Sequence, residues 1–140
     1  MTDDTATLTL TDLLAGFRDG SLSPVDAVTA AYDRIDAHDG DLNLFCHLLP
    51  RDEAMAAADE AATRWSRDAP LGALDGAPLT VKDAIIARGW ATLRGSKLSD
   101  PGIPDAEDAP SVAKIRAAGA IVIGKTTMPE FGWKGTGSSP

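Results

Sequence analysis

A single lysine interrupts a short apolar segment near the middle of the chain. The segment is APLTVKDAII, residues 77–86, and the lysine is Lys82. Burying a lysine ammonium is costly unless the charge is paired or the proton is lost. Burial can lower the pKa of a lysine by about 3–5 units, which brings a neutral amine within reach at physiological pH. A lysine at the buried end of a strand is therefore a candidate general base.

An alternative interpretation of Lys82 needs no chemistry. The side chain can run along the edge of a sheet and carry its amine to water. The adjacent Asp83 is a poor direct partner for Lys82, because successive side chains of a strand point to opposite faces. The pattern of residues leaves both interpretations of this lysine open.

A second lysine belongs to a phosphate-loop pattern, G-x-x-x-x-G-K-[ST]. Gly119, Gly124, Lys125 and Thr126 match it, but the residues between the glycines are AIVI. Such a run is typical of a strand, which uses its N–H groups on neighbouring strands rather than on phosphates. Pro129 also follows too soon for the helix that the pattern requires. We therefore predict no nucleotide binding and interpret Lys125 as a polar residue just past a strand end.

Charge and composition exclude several classes of function. Twenty-one acidic against thirteen basic residues give a net charge of −8, which argues against direct nucleic-acid binding and against an anionic membrane surface. His38 and His47 lack further ligands at a useful spacing, so no metal site is predicted. The N-terminus lacks the features of a signal peptide, and the lone Cys46 suits a reducing compartment. These features predict a cytoplasmic protein without a metal site.

Residues 1–66 carry the signals of three helices and one strand. Apolar residues at helical spacing predict a first helix that ends near Gly20; they are Leu10, Leu13, Leu14 and Phe17. Ser23 and the following proline start a second helix, and Gly40 lies past its predicted end. NLFCHLL reads as a strand, and Pro50 opens an alanine-rich third helix. This part of the chain is predicted to be mainly helical.

Residues 67–140 change to an α/β pattern. PLTVKD is rich in strand formers, and residues 94–108 form a long polar loop. Asp108 can cap a helix, Gly119 can end it, and AIVIG then predicts a strand buried on both faces. A strand, a helix and a strand in this order predict a parallel unit of a larger sheet. The predicted fold class is therefore α/β.

Several motifs together resemble the amidase signature family. They are LGALDGAPLTVKDAI, then TLRGS, then DAPSVAKIRAAGAIVIGKTTMPEFGWKG, while residues 10–45 are similar to the helical N-terminal segment of that family. The resemblance implies the N-terminal portion of a single amidase domain, with helices packed on part of a mixed β-sheet. Residues 1–66 would be its helical segment and residues 67–140 the start of its α/β core.

The resemblance also implies an activity. Members of the family hydrolyse carboxylic amide C–N bonds with a Ser–cis-Ser–Lys triad, and the lysine of the family's VKD motif maps to Lys82. The implied substrate is a small-molecule amide, and no cofactor or metal is implied. Phe131 and Gly132 would fall near the acyl pocket of the enzyme.

The chain departs from the family pattern at its end. Both serines of the triad belong to a later Gly/Ser-rich stretch, and Ser138 and Ser139 match a segment that precedes it. The 140 residues are thus interpreted as an incomplete enzyme that is inactive alone and self-associates or pairs with the missing C-terminal part. Two alternatives remain: a non-catalytic piece completed by a second chain, and a transamidosome-type glutamine amidotransferase subunit.

Overall fold

Four α-helices and a three-stranded mixed sheet make up the described part of the chain, residues 5–135 of a computed structural model. The helices are α1 (Leu10–Asp19), α2 (Pro24–Leu42), α3 (Arg51–Ser66) and α4 (Pro110–Ala117). The strands are β1 (Phe45–Leu48), β2 (Pro78–Lys82) and β3 (Ile121–Thr126), and short 3-10 turns span Thr5–Thr7 and Glu130–Gly132. The expectations for Ser138 and Ser139 lie outside the described residues.

Local capping starts the first two helices where the sequence predicts. Thr9 caps α1 and Ser23 caps α2, and in each case the aspartate three residues on completes a capping box. The predicted end of α2 at Gly40 is wrong, because the helix continues to Leu42. Asn43 takes the left-handed conformation that ends the helix. The carboxylate of Asp39 then accepts the N–H groups of the next two residues, so the chain turns after Asn43 rather than at Gly40.

The predicted cap of α4 by Asp108 is also wrong. Ala109 occupies the cap position, where no side chain accepts a hydrogen bond. The Asp108 carboxylate instead accepts the backbone N–H of Arg88 at 2.7 Å and lies 3.5 Å from the Arg116 guanidinium. Contacts with Arg88 and Arg116 therefore use the carboxylate that the sequence pattern assigned to the helix cap. Gly119 follows α4 with φ of +92°, as its predicted role at the helix end requires.

The sheet confirms the α/β prediction. β3 is the central strand, with β2 parallel to it on one side and β1 antiparallel on the other. The first five residues of β3 are all buried, as predicted for a strand covered on both faces. One face packs on α2 and α3 through Ile121 and Ile123, and the other packs on α4 through Val122.

An irregularity in β3 changes the face taken by its last residues. Leu79 pairs with Val122 and Thr80 with Gly124, so one residue of β3, Ile123, is left out of the register. A bulge of this kind shifts the alternation of side chains along a strand. Without it, Lys125 would share the face of Ile121 and Ile123.

The prediction that Lys125 lies just past a strand end is wrong. Lys125 belongs to β3 and is completely buried. The residues AIVI do run into a strand, so the phosphate-loop geometry is missing, as predicted from the sequence. None of the helices in residues 5–135 has the length and apolar character needed to cross a bilayer.

Candidate functional site

Lys82 is the last residue of β2, at the carboxyl end of the parallel strand pair. In the part of the chain that the structure describes its side chain is exposed, which differs from the buried environment that the general-base interpretation expects. β2 lies at the edge of the three-stranded sheet, which leaves this end of the strand open. The Nζ atom donates a hydrogen bond to the carbonyl oxygen of Thr127 at 2.5 Å. Thr127 follows directly after β3, so the lysine spans the ends of two neighbouring strands.

Asp83 follows Lys82 and is buried, with 1% of its side chain exposed. Its Oδ1 atom lies 3.2 Å from the Nζ atom of Lys125. The same carboxylate accepts the backbone N–H groups of Leu93 and Gly95 at 3.1 and 3.2 Å. A carboxylate with this number of partners meets the requirement that a buried charge be paired and hydrogen-bonded.

Lys125 is the other half of this ion pair, and its ammonium group has three acceptors. Besides Asp83, Nζ donates to the carbonyl oxygen of Ala91 at 3.1 Å and to the hydroxyl of Thr92 at 2.7 Å. The Thr92 hydroxyl in turn donates to the carboxylate of Asp105. Three acceptors match the three N–H bonds of an ammonium group, so this buried cation is fully satisfied. With its amine directed into the protein, Lys125 is not presented to a phosphate.

The loop of residues 91–96 packs against the segment that follows β3. A Cβ atom on Gly95 would lie 2.1 Å from the carbonyl oxygen of Met128, which shows how closely the two backbones approach. The carbonyl oxygen of Arg94 accepts a hydrogen bond from the N–H of Phe131 at 2.8 Å, and the Ser96 hydroxyl donates to Glu130 at 2.6 Å. The segment carrying the acceptor of Lys82 is therefore held on the same loop that surrounds the buried pair.

Phe131 and Gly132, the predicted pocket residues, lie in the 3-10 turn after β3. Both have positive φ, +48° for Phe131 and +68° for Gly132, and the Phe131 side chain is 63% exposed. They are near the loop of residues 91–96 through the Phe131 N–H bond to Arg94. A role in an acyl pocket stays a prediction, because an exposed ring by itself encloses no ligand.

The other candidate residues from the sequence, Cys46 and His47, have contacts that fit a structural role. The Cys46 thiol donates to the carbonyl oxygen of Lys125, and burial followed by the nearby Asp83 charge raises the pKa of Cys46 to about 11. A thiol with so high a pKa is a poor nucleophile at neutral pH. The His47 ring stacks on Trp90 at 6.3 Å. Residues 5–135 contain no cluster of three histidine, cysteine or carboxylate groups suited to a metal ion.

A cavity of about 380 Å³ lies at the opposite end of the sheet from Lys82. It opens at the amino end of β3, and its lining includes Arg64, Arg88, Trp90 and Arg116. Two of these guanidinium groups are already engaged, Arg64 with Asp75 and Arg116 with Asp108. The cavity and the strand ends around Lys82 are thus separate regions.

Sequence reasoning misses the pairing of Asp83 with Lys125. The pattern of residues presents Asp83 only as a neighbour of Lys82, and Lys125 only as part of a false phosphate motif. The available signal is the position of Lys125 at the end of a continuous apolar run, since a lysine there needs a buried anion.

Comparison with known proteins identifies the protein family of this chain. The family model described as Amidase matches residues 26–140. The chain is 44% identical over 124 residues to a glutamyl-tRNA(Gln) amidotransferase subunit from Chromohalobacter salexigens, covering 88% of this chain and 25% of that protein. It is 39% identical over 132 residues to the corresponding subunit from Geobacter sulfurreducens, covering 94% of this chain and 27% of the relative.

Solved structures give the same result for the fold. The peptide amidase of Stenotrophomonas maltophilia superimposes with a TM-score of 0.81 at 32% identity, over 93% of this chain and 26% of that one. A bacterial aryl acylamidase superimposes with a TM-score of 0.84 over 95% of this chain and 28% of that one; at 23% identity it supports the fold alone. The chain spans about a quarter of the length of these relatives. From the match of sequence and fold over most of its residues, the chain belongs to the amidase signature family.

Proposed function

We propose that this chain supplies the lysine of an amidase-type hydrolase that cleaves carboxylic amide C–N bonds through a Ser–cis-Ser–Lys triad. Lys82 is the proton acceptor in this proposal. The observation that carries it is the position of Lys82 in the VKD motif, at the carboxyl end of β2, with its amine bonded to a carbonyl oxygen. The adjacent carboxylate, Asp83, is engaged by a different cation, Lys125. Lys82 therefore hydrogen-bonds to a neutral acceptor, the carbonyl oxygen of Thr127.

In this proposal Lys82 acts by transferring a proton. A neutral amine has two N–H bonds and one lone pair, and a bond from one N–H to the Thr127 carbonyl limits the directions of the lone pair. The lone pair would accept a proton from the bridging serine, which would in turn activate the nucleophilic serine. A free lysine has a pKa near 10.4, so a neutral amine at pH 7 requires desolvation. We propose that the remainder of an amidase domain covers the exposed Lys82 and supplies that desolvation.

The substrate class in this proposal is a small-molecule amide, with no cofactor. The acidic balance of the chain, −8, supports the absence of direct nucleic-acid binding by this part of the protein. Phe131 and Gly132 would border the acyl group of the substrate, because they follow β3 on the side where Lys82 ends β2.

The test compares lysine variants in a polypeptide that continues through the serine-bearing motif of the family. Lys82→Ala is expected to lower kcat by at least about 10²–10⁴-fold, the usual contribution of a general base. Lys97→Ala is the matched control, since Lys97 is an exposed lysine in a loop. Both variants should keep the parent melting temperature. A folded Lys82→Ala enzyme with near-normal kcat would contradict the assignment.

A second candidate function is that of a glutamine amidotransferase subunit in a transamidosome-type complex. The 44% identity to a subunit of a glutamyl-tRNA(Gln) amidotransferase favours it. Glutamine would then be the amide donor, and the released nitrogen would pass to glutamyl-tRNA on partner subunits. Glutamine hydrolysis that rises on adding such partners supports this candidate; turnover of simple aliphatic or aromatic amides without partners supports the stand-alone amidase.

The pairing of this segment with a second chain is a further part of the proposal. If residues 1–140 are a piece completed by another polypeptide, purification from the native source should yield both chains together. Mass spectrometry of the purified complex would identify the second chain, and a serine-bearing amidase segment is the expected result.

A further inference from the structure

We propose that the buried ion pair between Asp83 and Lys125 is a positioning device for the amine of Lys82. This inference rests on the proposed function, because it assigns a purpose to residues that surround the proposed base. Neither side chain of the pair is directed to solvent, with 1% and 0% of their surfaces exposed. Their role would be exerted through the two backbone segments that they join.

The pair joins the two segments that carry Lys82 and its acceptor. Asp83 directly follows Lys82, and its backbone N–H donates to the carbonyl oxygen of Thr126 at 3.1 Å. Lys125 lies two residues before Thr127, whose carbonyl oxygen accepts from Lys82. The ion pair therefore fixes the distance between the ends of β2 and β3 at the place where the lysine bridges them.

The pair also holds the loop of residues 91–96 in place. Asp83 accepts the N–H groups of Leu93 and Gly95, and Lys125 donates to Ala91 and Thr92. Gly95 has a φ of +64° and lies against the Met128 carbonyl, on the segment next to Thr127. The loop thus packs against the backbone segment that follows the acceptor oxygen of Thr127.

A general stabilising role does not explain the arrangement. Removing two charges from water costs about as much as their attraction returns, so a buried pair is weak evidence for stability. Its groups are instead directional: both oxygens of Asp83 and the three N–H bonds of Lys125 each have a defined partner. Such a network defines one arrangement of the strand ends and the loop, and a reacting group displaced by about 1 Å can lose about 10²-fold in rate.

The structure offers a matched control at the other end of β2. Asp75 is also a fully buried carboxylate, and Arg64 binds both of its oxygens at 2.9 and 2.7 Å. Asp75 precedes the first residue of β2, whereas Asp83 follows the last one. A general loss of stability should affect Asp83→Asn and Asp75→Asn alike, and a positioning role should separate them.

The experiment measures kcat and KM of these variants in the longer polypeptide used to test Lys82, with concentrations corrected for the folded fraction. Asp83→Asn is expected to lower kcat at least about tenfold while KM stays within about threefold. Asp75→Asn is expected to leave both constants close to the parent. Equal losses of kcat in the two variants, or a kcat within about twofold of the parent in folded Asp83→Asn, would overturn the inference.

A milder variant keeps the test decisive if Asp83→Asn does not fold. Thr92→Val preserves the shape of the side chain and removes one acceptor of Lys125. It is expected to lower kcat at constant KM, whereas its control Thr80→Val, at an exposed position of β2, should not. Parent-like kcat in Thr92→Val would overturn the inference.

The Lys82→Ala variant separates the positioning role from the proposed function. If Lys82→Ala stays active, the proposed function fails. If Lys82→Ala is inactive while Asp83→Asn and Thr92→Val are active, only the positioning role fails.

Discussion

Asp83 Oδ1 lies 3.2 Å from Lys125 Nζ, and the two side chains form a buried ion pair between the end of β2 and the end of β3. Lys82, one residue before Asp83, faces the opposite way and is exposed. Two lysines on adjacent strands thus have opposite environments. The ammonium group of Lys125 is buried and has an acceptor for each N–H bond, whereas the Lys82 side chain is exposed and donates to one backbone carbonyl oxygen.

Removal of Lys125 should destabilise the fold. Lys125→Met leaves the buried Asp83 carboxylate without its cation, and such a change typically costs about 3–5 kcal/mol. The free energy of unfolding, measured by urea titration, should fall by that amount. Lys114→Met is the control, because Lys114 is exposed on α4 and should change the value by less than about 0.5 kcal/mol. Equal stability of the two variants would show that the pair contributes nothing.

Gly95 should be far less tolerant of alanine than Gly20, although both have positive φ. Gly95→Ala places a Cβ atom 2.1 Å from the Met128 carbonyl oxygen, whereas nothing lies within 4 Å of a Cβ on Gly20. Gly20→Ala should cost about 1–2 kcal/mol from backbone strain alone. Gly95→Ala should cost clearly more, since the segment after β3 must move. Thermal unfolding of both variants measures the difference, and similar melting temperatures would contradict the close approach.

Cys46 should react slowly with alkylating reagents in the native protein. Burial, aided by Asp83, raises the pKa of its thiol from 9.0 to about 11, so the thiolate fraction at pH 8 falls ~100-fold. The rate of iodoacetamide labelling at pH 8 should rise sharply on unfolding in urea, with Cys46→Ser as the blank. A native rate equal to the unfolded rate would contradict the raised pKa.

The same shift sets the direction of a pH effect on stability. Between pH 9 and about pH 11 the folded protein retains a thiol proton that the unfolded chain releases. The contribution of Cys46 to stability is therefore fully present below pH 9 and is lost as the pH rises through about 11. In Cys46→Ser this part of the alkaline loss should disappear.

A polypeptide of residues 1–140 alone should hydrolyse no amide. The proposed base is present, but the nucleophile and the oxyanion donors of the family belong to a later stretch. The chain should also self-associate, because large apolar side chains are exposed, among them Leu98, Ile103, Phe131 and Trp133. Assays with small aliphatic and aromatic amides and a mass measurement in solution test both points. A monomer that turns over an amide, and that loses this activity in Ser138→Ala or Ser139→Ala, would refute the placing of the serines.

Local signals in the sequence were sufficient for much of the architecture. Ser23, Pro24 and Asp26 specify the start of α2 through contacts within four residues, and the structure places the helix there. The continuous apolar run after Gly119 predicted a strand covered on both faces, and β3 is that strand. The longer motifs around VKD and GKT, taken together at their spacing, were sufficient for the family. Each of these features depends on neighbours in the chain, so the sequence determines it directly.

The environments of the two lysines were decided only by tertiary structure. A bulge leaves Ile123 out of the register with β2, and the side chain of Lys125 is thereby turned toward Asp83 and the loop of residues 91–96. Asp108 likewise does not cap α4 as predicted, because its carboxylate accepts the backbone N–H of Arg88 and pairs with the Arg116 guanidinium. A charged side chain takes the arrangement in which its desolvation is offset by partners, and those partners come from distant parts of the chain. For that reason the sequence identified which residues could carry charge or chemistry, and the fold decided which of them meet.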